Sequence, residues 1–392
     1  MTAPFRRHIL YLPGFDPIPP RRYRELYRRE AADQARISGH RLRITKAQAQ
    51  GFAWAVHGRV EGRDTTTVIE VALWSDIVQA SMRQGIAGTF AQLARTSWTY
   101  IATGTLSRLM RLRRGPVIAA LYPIAVLLAQ LALALLAGGL AAWLVGGWPG
   151  LPVGLAVAWG VLVLGRRLDH RLFAYYLMHD YAFTARHRGA YPPALEDRLA
   201  QFRARLTAIL DDGPDEVLVV GHSSGAYLAV SLMADLLRER ADPGPALSLL
   251  TLGHVVPMAA FLPDAGRLRD DLGWLARSDG LFWLDVTAPG DACCFALCDP
   301  VAVCGQADPD QRWPLVISAA FTHTLSPDRQ AALKNRWFKL HFQYLCAFDR
   351  PGMYDYFAIT AGPLRLGDRF AGRGHSPARI TRPAVPREWT AP

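Results

Sequence analysis

Apolar residues recur along this chain in two rhythms. Short runs bounded by Gly, Pro or Asp predict buried strands at His8–Leu12, Thr67–Trp74, Glu216–Val220, Leu247–Gly253 and Leu281–Thr287. Between them, spacings of three and four residues predict amphipathic helices. Arg21–Ile37 carries Tyr23, Leu26 and Tyr27 on one side, and Pro193–Leu210 carries Leu195, Leu199, Phe202, Leu206, Ile209 and Leu210. Strands alternating with helices of this length predict an α/β fold with a mainly parallel sheet covered by helices on both faces. No internal repeat is visible.

One segment follows neither rhythm. From Gly115 to Gly165 there is no Asp, Glu, Lys or Arg, and a helix needs about 20 apolar residues to cross a bilayer core. Gly146–Pro152 in the middle reads as a turn. The chain therefore predicts a two-helix transmembrane hairpin, Val117–Val145 and about Leu151–Leu168. The second span is short unless Arg166 and Arg167 snorkel or the turn begins nearer Gly138-Gly139. Arg108, Arg111, Arg113 and Arg114 precede the hairpin, and Arg166, Arg167 and Arg171 follow it. This places both ends in the cytoplasm, and Met1–Arg7 lacks the apolar stretch of a secretory signal. The expected organisation is one domain in two parts, residues 1–114 and 169–366, around a membrane excursion at 115–168. A Gly-, Pro- and Arg-rich tail at 367–392 is expected to be loosely ordered.

The net charge of +11 and the pI near 9.7 come largely from arginines beside the hairpin and in Arg21–Arg43. No nucleic-acid motif accompanies them, so the implied partner is the anionic surface of a lipid bilayer and not nucleic acid. The cysteines at 293, 294, 298, 304 and 346 lack the two-residue spacing of zinc sites and read as reduced core residues.

The chemistry concentrates at Glu216–Met233. Four apolar residues, Val217–Val220, run into Gly221-His222-Ser223-Ser224-Gly225, and Ala226–Met233 then has helical character. Strand, sharp turn and helix around Gly-x-Ser-x-Gly are the context of a nucleophile elbow, with the Ser223 hydroxyl raised above the sheet. On this motif the chain resembles the α/β-hydrolase superfamily, on its lipase and esterase side, over about residues 5–75 and 193–360. The resemblance implies further parts. The strand His8–Leu12 followed by Pro13-Gly14-Phe15 is similar to the loop that supplies an oxyanion donor, which implies the backbone amides of Phe15 and Ser224. The order Ser, acid, His implies an acid after the 281–287 strand: Asp291 is preferred, with Asp285 and Asp299 as competitors. It also implies a histidine near the end, where His341 in Leu340-His341-Phe342-Gln343-Tyr344 is preferred over His323 and His375. His170, His179 and His187, in a stretch (Leu172–Arg188) that could cover the site, read as surface or packing residues.

These residues imply acyl transfer without a metal or other cofactor. His341 deprotonates Ser223, Asp291 fixes the imidazole, and water releases the acyl-enzyme. The expected function is a membrane-anchored serine hydrolase acting on carboxylic esters, lipid-like ones among them. An acyltransferase using the same nucleophile and a non-catalytic membrane scaffold of the same fold are the alternatives.

Overall fold

In the computed structural model, which describes residues 3–240, 247–386 and 389, one eight-stranded sheet organises the chain. The strands are β1 (Phe5–Leu12), β2 (Arg41–Lys46), β3 (Ala53–Val60), β4 (Arg63–Val71), β5 (Glu216–His222), β6 (Leu247–Leu252), β7 (Phe282–Thr287) and β8 (Leu315–Ser318). Their order is β2-β3-β4-β1-β5-β6-β7-β8; the β2–β3 and β3–β4 pairs are antiparallel and all others parallel. The expected α/β class with a mainly parallel, helix-covered sheet is therefore present. Strands from before and after the hairpin interleave, since β1 pairs with both β4 and β5.

All seven residues of β5 are buried. Val217 and Val219 face one core layer, built with Leu199, Leu206, Leu228 and Trp283; Leu218 and Val220 face the other, with Tyr23, Tyr27, Tyr344 and Phe357. Burial on both faces explains why this strand is a continuous apolar run without alternation.

Three strands, β2, β3 and β8, escape the sequence reading. β2 reads Arg-Leu-Arg-Ile-Thr-Lys and has no fully buried residue, because it lies at the sheet edge. β3 and β4 form a hairpin whose turn, Glu61-Gly62, has φ of 52° and 77°. β4 ends at Val71, so the predicted strand Thr67–Trp74 starts four residues late and overruns by three. Ala72 still donates to the Tyr11 carbonyl at 2.9 Å, but a helix starts at Ser75. β8 has only four residues, too few to stand out as a pattern.

The apolar stretch forms two antiparallel helices, Arg114–Val145 (32 residues) and Gly150–Arg167 (18 residues), both long and apolar enough to cross a membrane and both mostly exposed. A Cβ on Gly138 would sit 2.6 Å from the Gly154 carbonyl, and one on Gly154 2.6 Å from the Gly138 carbonyl. Small residues thus let the two backbones touch. Gly138 is inside the first helix, so the turn does not begin there.

The tail also departs from expectation. The Ile380 amide donates to the Leu297 carbonyl at 2.7 Å, the Asp299 amide to Ile380 at 2.9 Å and Ala384 to Val303 at 3.0 Å. Arg379 pairs with the buried Asp299 carboxylate. Those contacts fix the segment to the body, a long-range effect that local composition does not encode.

Candidate functional site

The loop between β5 and the following helix (Ser224–Glu239) is a forced turn. Ser223 has φ 58° and ψ −122°, a region costly for a residue with a side chain. Its amide is held by the Leu252 carbonyl at 2.9 Å. A Cβ on Gly221 would lie 2.6 Å from the Gly225 carbonyl, and one on Gly225 2.2 Å from that of Leu12, so both positions exclude a side chain. Gly14, at the end of β1, approaches Ser223 from the other side: its Cβ would be 3.0 Å from the serine Cβ. The indole of Trp74 anchors that loop by donating to the Pro13 carbonyl at 2.9 Å. The Phe15 ring is fixed between Trp74, Tyr176 and Phe183. Among the described residues, neither the Phe15 amide nor the Ser224 amide donates to a protein acceptor. Both residues line the same cavity as Ser223.

Asp291 lies in the loop after β7, and His341 ends a short helix, Trp337–His341. His341 Nδ1 and Asp291 Oδ2 are 2.7 Å apart. The same Oδ2 accepts from the Tyr344 hydroxyl at 3.1 Å, and Oδ1 accepts from the Cys293 amide at 2.9 Å. Burial alone would raise the Asp291 carboxyl; the charge of His341 and these hydrogen bonds outweigh it and hold it below the ordinary carboxylate range. The Nε2 of His222, the residue before the serine, lies 3.0 Å from the His341 carbonyl, so that nitrogen carries the proton. Burial, with the nearby His341, lowers His222 to about 3 and keeps it neutral.

Ser223 is half-buried and opens, with His341, into a cavity of about 1400 Å³. Phe15, Ser223, Ser224 and His341 thus line one cavity, and Asp291 is hydrogen-bonded to His341 behind it; among the described residues no hydrogen bond joins Ser223 to His341. The structure separates the competitors. Asp285 is sealed inside β7, accepting from Thr251 Oγ1 at 2.6 Å, and burial raises it to about 6. Asp299 accepts from the amides of Val301 and Ala302 and pairs with Arg379, a structural role. His323 is exposed, and His375 Nδ1 accepts from the Val316 amide at 3.2 Å.

Three further features complete the site, and of these only the covering stretch Leu172–Arg188 is expected from the sequence. Tyr344 braces the Asp291 carboxylate. The helix Ala174–Arg186, within the stretch expected to cover the site, lines the cavity with Tyr176, Asp180 and Tyr181. The Asp180 carboxyl has no hydrogen-bond partner among the described residues; burial raises it to about 7, and His341 acts in the opposite sense.

Asp291, Cys293 and His341 also place donor atoms within 4.8 Å of one another, close enough to consider a cation. They fit one poorly. The facing Nδ1 and Oδ2 atoms are engaged with each other at 2.7 Å, and Oδ2 also accepts from Tyr344, which leaves these donors committed within the protein. Comparison of the chain with family models, curated proteins and solved structures found no match.

Proposed function

We propose that the protein is a membrane-anchored serine hydrolase that cleaves carboxylic esters through an acyl-enzyme. The observation that carries this is that a strained, half-buried Ser223 opens onto the same cavity as His341, whose Nδ1 is held by Asp291. The strand order supports it: β1, with its Gly14 loop, lies directly beside the elbow strand β5, where an α/β-hydrolase needs its oxyanion loop.

In this reading His341 Nε2 takes the Ser223 proton as Oγ bonds to the ester carbonyl carbon. Asp291 holds Nδ1–H, so the unprotonated nitrogen is the one available to the serine, and stabilises the imidazolium. The Phe15 and Ser224 amides donate to the tetrahedral oxyanion. The alkoxide leaves with the proton from His341. Water, deprotonated by the same histidine, then attacks the acyl carbon and releases the acid as Ser223 regains its proton. The hairpin anchors the enzyme, and the arginines at both its ends favour a cytoplasmic site.

Esterase turnover of p-nitrophenyl butyrate by the detergent-purified protein tests the proposal. Wild type is expected to release acid without an added alcohol, and Ser223→Ala to lose the activity. Equal activity in the two would overturn the assignment, and product formed only with an alcohol or amine acceptor would make the protein an acyltransferase.

A further inference from the structure

The cavity that holds Ser223 reaches the membrane hairpin. Its wall includes Pro116, Ala119 and Tyr122, from the start of the first hairpin helix. At 1.5 Å per residue, that helix of 32 residues is about 48 Å long and its partner of 18 residues about 27 Å. The contacts Ala142–Gly150, Gly138–Gly154 and Gln130–Gly165 fix their alignment, so most of the excess length of the first helix lies on the side of the globular domain. Tyr122 falls about 12 Å beyond Gln130 in that direction. With the second helix spanning a hydrocarbon core of about 30 Å, as the membrane-anchored reading requires, Tyr122 lies at the depth of the lipid headgroups.

Around Tyr122 the cavity rim is aromatic and continuous. Tyr122 meets Trp337 with ring centroids 6.0 Å apart, and Phe173 meets Phe338 at 4.9 Å. Trp337 is 41% exposed and Phe173 40% exposed. Trp337 and Phe338 belong to the five-residue helix that ends in His341, so the rim and the general base share one element.

The charges at this rim are unbalanced. Arg171, Arg336 and Lys339 line the cavity, and their side chains form no hydrogen bond or ion pair among the described residues. Most other charges on the wall are satisfied: Arg22 pairs with Asp16, Arg28 with Glu25, Arg29 with Glu30, and Asp169 accepts from the amides of Tyr175 and Tyr176. Asp180, an acid with no cation paired to it among the described residues, also lines the cavity and interacts electrostatically with His341.

We propose, building on the hydrolase assignment, that the substrate is a bilayer lipid ester with an anionic headgroup. It slides from the adjoining leaflet past Tyr122, Phe173 and Trp337, with its headgroup held by Arg171, Arg336 and Lys339. The volume of about 1400 Å³ exceeds the roughly 300–1,000 Å³ typical of small-ligand sites and accommodates an acyl chain beside the reacting ester. The carbonyl reaches Ser223 while the headgroup stays at the rim. Hydrolysis then releases a fatty acid and a lysolipid.

The test places the full-length protein in vesicles containing equal amounts of diacyl phosphatidylglycerol and diacyl phosphatidylcholine with matched chains, and identifies the lysolipids by mass. Wild type is expected to consume the anionic lipid roughly tenfold faster at low salt. The triple variant Arg171→Gln, Arg336→Gln, Lys339→Gln is expected to bring the two rates to about equality. Equal consumption by wild type, or an unchanged ratio in the variant, would overturn the proposal. So would faster cleavage of a water-soluble anionic acyl thioester than of either lipid. Ser223-dependent hydrolysis of p-nitrophenyl butyrate without release from either lipid would overturn the lipid assignment and leave the hydrolase standing. Absence of all hydrolysis would overturn both.

Discussion

Replacing Asp291 by Asn probes the proposed catalytic pair with almost no change in shape. Both carboxylate oxygens are engaged: Oδ1 by the Cys293 amide at 2.9 Å, and Oδ2 by His341 Nδ1 at 2.7 Å and the Tyr344 hydroxyl at 3.1 Å. The asparagine NH2 must face one of these two sides. Toward Cys293 it would oppose a backbone N–H that cannot turn away, leaving two donors in conflict in the interior, at a cost of about 1–3 kcal/mol. Toward His341 it meets a hydroxyl that can rotate and an imidazole that can change tautomer. The second orientation is favoured, and it moves the histidine proton to Nε2, the nitrogen that must accept from Ser223. A wrong tautomer at an intact triad typically lowers turnover about 10⁴-fold, equivalent to about 5 kcal/mol of transition-state stabilisation. Asp291→Asn is therefore expected to slow turnover by roughly three to four orders of magnitude, with KM and the unfolding midpoint little changed. Steady-state kinetics with p-nitrophenyl butyrate and a thermal melt in detergent measure both. A loss below about tenfold would refute this role for Asp291.

Asp180, with its carboxyl raised to about 7 by burial, makes the folded state hold a proton that the unfolded chain releases near pH 4. Its contribution is fullest below about pH 4 and is lost as the pH rises to about 7, by at most about 4 kcal/mol and less where cavity water screens the charge. Asp180→Asn is expected to flatten the pH dependence of the unfolding midpoint between about pH 5 and 7.5; an identical slope in variant and wild type would contradict the burial of this group. Gly154→Leu is expected to force the hairpin helices apart, because a Cβ there lies 2.6 Å from the Gly138 carbonyl, and to destabilise by roughly 1–3 kcal/mol. Gly160→Leu, where a Cβ meets nothing within 4 Å, should leave the midpoint in place, and equal melts for the two variants would refute the helix contact.

What could be read from the chain was local. The elbow strand β5 is apolar because both its faces are buried, and the glycines on either side of Ser223 are required by backbone approaches of a few ångström. The hairpin helices announce themselves by an uncharged stretch that no other element shares. Edge strand β2 hid behind its arginines and lysine, since half-exposed residues at a sheet margin need no apolar run. Asp299 had the right residue type for a catalytic acid. Only the tertiary contact with Arg379, distant in sequence, shows it tying the C-terminal segment to the body. That contact also corrects the expectation of a loose tail. Asp180 was one charge in an aromatic, charged helix, and nothing in its spacing indicated that it faces the cavity.

Every step of the proposed chemistry requires the Ser223 oxygen to be an activated nucleophile. Treating the purified, folded protein with a fluorophosphonate and mapping the adduct by tandem mass spectrometry tests this most directly. The expected outcome is a single phosphonylated residue at Ser223, absent in Ser223→Ala and formed far more slowly in His341→Ala. A folded protein that takes up no label, or takes it up at another residue at the wild-type rate, would contradict the proposed mechanism.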